Sequence, residues 1–186
     1  MLVSVLALVG SANAQVKDEI QKSRERAAKL EALCADYKTS GNAKIDAYGD
    51  AVKAAAVCAI ANSEQLENLY KRQIGESKDG NTEVTIEKPT AEQWQTLATT
   101  IAGEGAYLAA ASKLAQEAAD EAKAMQQKVN DEKNPMKKGK LVKASKAALG
   151  VVGFGNDATS ILVEESAAQL KAVNEIVKML QSGETL

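Results

Sequence analysis

The sequence predicts an all-α protein, and three observations carry that prediction. Ala, Glu, Lys, Gln and Leu dominate the 186 residues, while aromatic residues make up only 3 %. The dominant residues are those that lose least freedom in a helix. The two prolines, Pro89 and Pro135, fall between apolar-periodic segments, where a residue that breaks helices is tolerated. Apolar residues recur every seven positions along most of the chain, the spacing of helices packed side by side with a left-handed twist. The expected fold is therefore an elongated, left-handed bundle of four to five antiparallel helices, with a short β-like excursion allowed at 76–88.

Residues 1–14 read as a signal peptide. Leu2 to Val9 is uncharged and apolar, and Ser11-Ala12-Asn13-Ala14 follows with small residues where a signal peptidase needs them. No Lys or Arg precedes the apolar stretch. Cleavage near Ala14/Gln15 would leave one domain, 15–186, in the periplasm or outside the cell. The apolar run is too short to span a bilayer, so no transmembrane segment is expected in the mature chain. The plainer alternative is that these residues form an N-terminal helix of the fold.

A first helix is expected from about Val16 to Lys38. Ile20, Ala27 and Cys34 form one heptad row, and Ser23, Leu30 and Tyr37 lie three further on. Lys17 through Arg26 otherwise read as a charged, solvated face, and Gly41 suits the left-handed end of a helix. The second helix covers about Ile45 to Ile74, with Ile45, Val52, Ala59 and Leu66 in one row and Tyr48, Ala55 and Leu69 beside it. Its middle, Ala51 to Ala61, is apolar nearly all round, so it should be the most enclosed element. Glu83 to Glu87 alternates with period two after Asp79-Gly80, as a hairpin would. A polar loop is the plainer reading, because an isolated hairpin is marginal in water.

The third helix opens with Thr90-Ala91-Glu92-Gln93, a capping box. Trp94, Ile101, Leu108, Ala115, Ala122 and Val129 then keep one strict heptad to about Asp131, with Leu97, Ala111, Ala118 and Met125 at the partner position. Asn134-Pro135 starts a fourth segment to about Leu149. A glycine-rich stretch, Gly150 to Gly155, separates it from a last helix capped at Asn156 or Asp157. The apolar stripe of that helix reads as Val163, Ser166, Leu170, Val173, Val177 and Leu180, ending before Gly183.

Composition narrows the chemistry. The chain has net charge −2 and no histidine. It therefore lacks the usual proton shuttle at neutral pH, the commonest metal ligand and every Ser-His or Cys-His pair. No catalytic residue, metal ligand or cofactor site is expected. A near-neutral balance gives no field for gripping nucleic acid.

Three constellations remain. Cys34 and Cys58 in an exported protein read as one disulfide, closing a loop of about 25 residues worth roughly 3–4 kcal/mol in the chain-entropy model. Glu104 falls on the core-facing heptad between Leu97 and Ala111, flanked by Gly103 and Gly105. It is either a carboxylate facing a cleft, where burial raises its pKa, or part of a glycine kink that turns it to water; the kink is the plainer reading. Finally, Lys137, Lys138, Lys140 and Lys143 belong to a basic run leading to Phe154, with no acidic residue between Lys133 and Asn156. Such a run could lie on an anionic membrane surface or simply solvate a helix. The function expected is a non-enzymatic interaction or structural role, with another protein or itself as partner. Membrane association and carriage of a small apolar ligand in the bundle core are the alternatives.

Overall fold

A computed structural model describes residues 3–76 and 86–183, with side chains from Ala14 onward. Among the described residues the protein is an all-α helical bundle of four helices, with no strand: α1 (Val3–Asp36), α2 (Ala43–Ile74), α3 (Ala91–Asp131) and α4 (Pro135–Gln181). The alternating segment at 83–87 lies mostly outside the described residues, and Ile86–Thr90 is neither helix nor strand. None of the helices is long and apolar enough to cross a membrane.

Side-chain caps define the helix ends, and Gly41 and the capping box follow the predicted chemistry. Asn42 caps α2, its Oδ1 accepting from the amides of Lys44 (3.1 Å) and Ile45 (3.4 Å). Asp46 ties down the preceding turn by accepting from the Ser40 amide, the Ser40 hydroxyl and the Gly41 amide. Gly41 has φ +81°, in the left-handed region that a side chain disfavours. The capping box is formed in both directions, Thr90 N to Gln93 Oε1 at 3.0 Å and Gln93 N to Thr90 Oγ1 at 3.3 Å. Asn134 caps α4 ahead of Pro135.

Three sequence expectations are corrected. First, α1 begins at Val3 rather than Val16, its backbone taking in the apolar segment. Second, α3 passes through Gly103-Glu104-Gly105 unbroken, so the expected kink is absent. Third, α4 is one helix of 47 residues where two were expected. The glycines at 150–155 do not break the helix, and Gly155 serves close packing. A Cβ there would overlap the Tyr48 ring.

The helices contribute to two compact units. One comprises residues 1–28, 58–104 and 164–186; the other comprises 29–57 and 105–163. The first is built around Val16, Ile20, Leu66, Leu69, Trp94, Leu97, Ile101, Val173, Ile176 and Met179. Trp94 is fully buried, as its heptad position predicts. In the second, Leu30, Ile45, Tyr48 and Val52 pack in a core otherwise rich in alanine, including Ala111, Ala118, Ala122, Ala148 and Ala158. Small residues let helices approach closely, and the glycines extend this. A Cβ at Gly49 would come within 2.7 Å of Val151 and of the Tyr37 ring. The predicted α2 stripe is buried at every position, but Val57 on its far side is exposed, so α2 is not enclosed all round.

This packing gives a direct contrast. Gly155→Ala should destabilise the protein by about 1–3 kcal/mol through overpacking against Tyr48. Gly153→Ala, with nothing within 4 Å of its Cβ position, should be neutral or stabilising by up to about 1 kcal/mol. Urea melts of the two variants check this. Equal effects would remove the packing role of Gly155.

Candidate functional site

The first unit holds a layer of polar side chains inside its core, with contributions from all four helices. Ser23 and Arg26 are three apart on α1 and share a face. Asn62 and Ser63 come from α2, Glu104 from α3, and Glu165 and Gln169, one turn apart, from α4. All are buried.

Glu165 is 0 % exposed and lies at the centre. Its carboxylate accepts from the Ser23 hydroxyl, from Arg26 Nε and from Gln169 Nε2. Ser23 Oγ is 2.8 Å from Ser63 Oγ and 3.2 Å from Gln169 Nε2. With the single Ser23 proton given to Glu165, Ser63 and Gln169 act as donors to Ser23. Gln169 Nε2 also lies 3.3 Å from the Ala59 carbonyl.

Arg26 supplies the counter-charge. Its side chain is 9 % exposed, and its guanidinium also contacts Glu19 and, at 3.2 Å, Glu164. Glu164 stands largely in water, so this arm reaches from the core to the surface. Burial works against the cation, but hydrogen bonds to Glu165 and Glu19 outweigh it and raise the Arg26 pKa. Burial likewise pushes the Glu165 carboxyl up, against the opposing hydrogen bonds from Ser23 and Arg26.

Glu104 is 1 % exposed, with Asn62 Nδ2 donating to its Oε2 at 3.2 Å. Its Oε1 has no hydrogen-bond partner among the described residues. Burial is the main reason its pKa rises to about 7; the nearby Glu165 charge adds to the rise and Asn62 opposes it. The layer thus contains one carboxylate matched by an arginine and a second that lacks a cation of its own. At neutral pH the second is poised between holding and releasing a proton.

Comparison with family models, with curated proteins and with solved structures found no match. The chemistry of this chain is therefore read from its own residues.

Of the residues singled out in the sequence, Glu104 belongs to this layer, while Gly103 and Gly105 lie on the exposed side of α3. Arg26, expected on the solvated face of α1, is buried instead. The predicted Cys34–Cys58 disulfide is not formed; both are free cysteines, each half-buried. Helix geometry gives the reason. Cys34 is two residues from the end of α1 and Cys58 fifteen beyond the start of α2. At 1.5 Å per residue, Cys58 sits roughly 22 Å along its helix, whereas bridged Cα atoms lie within about 7 Å. Burial raises the Cys34 thiol pKa, which makes it a poor nucleophile.

Lys137, Lys138, Lys140 and Lys143 are all exposed. Phe154, grouped with them as a membrane contact, is 8 % exposed and packs on Tyr37 with ring centroids 4.6 Å apart. It is therefore a core residue of the second unit rather than a surface anchor.

Proposed function

We propose that the chain is an exported, non-enzymatic helical-bundle protein that holds another protein, or a second copy of itself, against an exposed helical face. An antiparallel, left-handed packing of its helices is part of this proposal. The observation that carries it is the division of polar from apolar side chains. A cluster of polar and charged groups is turned inward, its members bonded largely to one another, while a few large apolar residues stand on the outer helix faces. A buried polar layer suits a structural use, because it penalises any slip of one helix against another, as single polar core residues do in coiled coils. Outside, Val57, Tyr107, Leu149 and Val163 are exposed, the residue types that protein contacts bury. Export is supported by the segment Leu2 to Ala14.

Two measurements test the reading together. Mass spectrometry of the extracytoplasmic fraction should find a chain beginning at Gln15; a full-length cytoplasmic chain would overturn export. Photo-crosslinking residues placed at Val57, Tyr107, Leu149 and Val163 in the native cell should give protein adducts of discrete mass. Absence of protein adducts at every position would overturn the interaction role.

A further inference from the structure

The second unit carries a surface that this interaction role does not by itself specify. The start of α2 meets α3 at Glu117 to Met125, through Lys44 Nζ to Glu117 Oε1 at 2.8 Å, and Asn42 Nδ2 to Glu121 Oε1 at 3.2 Å and to Met125 Sδ at 3.9 Å. Both helices α3 and α4 have further turns beyond that level. There the apolar side chains Val129, Leu141 and Val142 are only half-buried. A groove of about 340 Å³ runs between the two helices, lined by Gln126, Val129, Asn130, Val142, Ser145 and Lys146. Among the described residues, neither α1 nor α2 contributes to its lining.

On the α4 side of this groove the charge has one sign, while on α3 the lining residue Asn130 is followed by Asp131, Glu132 and Lys133. Lys137, Lys140, Lys143 and Lys146 are exposed on α4, and the absence of Asp or Glu from Lys133 to Asn156 leaves them without an acidic neighbour on that stretch. The lysines persist although the whole chain is slightly acidic. On α4, Lys137 continues the heptad row that buries Val151 and Ala158 further along the helix. A position that would continue the core row is thus given to a cation.

We infer that this end of the α3–α4 pair is a docking groove for an acidic amphipathic helix of a partner protein. Apolar residues spaced i, i+3, i+4 and i+7 on that helix would lie on Val129 and Val142. Its flanking carboxylates would meet the lysines, which supply orientation and association rate as well as attraction. An anionic membrane is the poorer fit. The groove is concave and lined by medium-sized side chains, and Phe154, the sole phenylalanine, is committed to the core. A bilayer contact needs protruding bulky anchors, and among the described residues this part of α4 offers Met136, 82 % exposed, and Leu149, 41 % exposed, neither of them aromatic.

This inference rests on the interaction role proposed above, but its test uses a different part of the surface. The probe is a labelled helical peptide with leucines on one face and glutamates flanking them, titrated with the full chain and followed by fluorescence anisotropy. Saturable binding is expected, weakening about tenfold or more when salt rises from about 20 to about 300 mM. Lys137→Glu with Lys140→Glu and Lys146→Glu should weaken it about tenfold as well, with the helical circular dichroism and melting temperature unchanged. Val142→Asp should abolish it in a chain that still melts cooperatively. A scrambled peptide of the same charge that binds equally well would overturn the groove, since charge alone would then suffice. Stronger binding to vesicles of about 30 % anionic lipid than to the peptide would overturn it in favour of a membrane. If cross-links form at the other exposed positions while the peptide fails to bind, the groove falls and the interaction role stands.

Discussion

Arg26→Met is expected to destabilise the protein by about 3–5 kcal/mol at neutral pH, the usual cost of stranding one member of a buried ion pair. Methionine replaces much of the aliphatic stem, so the loss reports the charge and the hydrogen bonds rather than a cavity. Glu165, fully buried, would keep Ser23 and Gln169 as donors but lose its counter-charge. Its pKa, already raised by burial, would climb further. A carboxyl raised in the folded state contributes its full stability at low pH and loses it as pH increases. The defect of Arg26→Met should therefore shrink on acidification, as Glu165 takes up a proton and no longer needs the cation. The double variant Arg26→Met with Glu165→Met should recover most of the loss, because an apolar pair of similar volume often replaces a buried ion pair at little or no cost. Urea denaturation of the three chains at about pH 5 and about pH 8 reads this directly. If the single and double variants are equally unstable at both pH values, the pair does not act as a charge-matched unit.

The residues of this layer lie on rows that the sequence displays; Ser23 and Glu104 are legible there, while polar chemistry hides Asn62, Glu165 and Gln169. Asn62 falls on the heptad of Tyr48, Ala55 and Leu69, and Ser23 on that of Val16 and Leu30. Glu104 shares a row with Leu97, Ala111 and Ala118. Glu165 sits between Ala158 and Ala172, and Gln169 between Leu162 and Ile176; all these apolar neighbours are buried. Stripes drawn through apolar residues alone follow α2 and α3 well, because the rows from Ile45 to Leu66 and from Trp94 to Val129 contain no polar residue. In α4 two long polar residues occupy consecutive core positions, so the apolar pattern is best fitted one residue out of phase. The apolar stripe therefore passes through Val163, which is 59 % exposed, rather than through the buried Leu162. Arg26 was hidden for another reason. It lies beside the Ala27 position, and only the arrival of Glu165 from a helix 139 residues away makes its burial affordable. No local pattern carries such a partner. The glycines misled in a similar way, since Gly49 and Gly155 answer to aromatic rings on other helices rather than to their own backbone.

Glu104 gives the second large effect, and its sign follows from the direction of its shift. The ordinary glutamate value is 4.5 and the folded value about 7. Between these limits the folded protein holds a proton that the unfolded chain releases. Stability should therefore be greatest below about pH 4.5 as far as this group is concerned, fall through the window up to about 7, and stay level above it. The gap between 4.5 and about 7 corresponds to roughly 3 kcal/mol. The groups facing Glu104 are Asn62 from α2 and Glu165 from α4, and Glu165 is in turn held by Arg26 from α1. Glu104→Gln keeps the shape and the Asn62 contact but cannot ionise. Its amide brings two new donors into a site where one oxygen already lacks a partner, so its absolute stability is a poor guide. The informative quantity is the difference between variant and parent as a function of pH. That difference should move in favour of Glu104→Gln by about 2–3 kcal/mol between pH 4.5 and pH 8, and Glu165, present in both chains, should largely cancel. Parallel stability curves across the window would mean that Glu104 stays ionised in the folded core, with Arg26 serving both carboxylates. In that case Arg26→Met should cost more than the loss of the Glu165 pair alone.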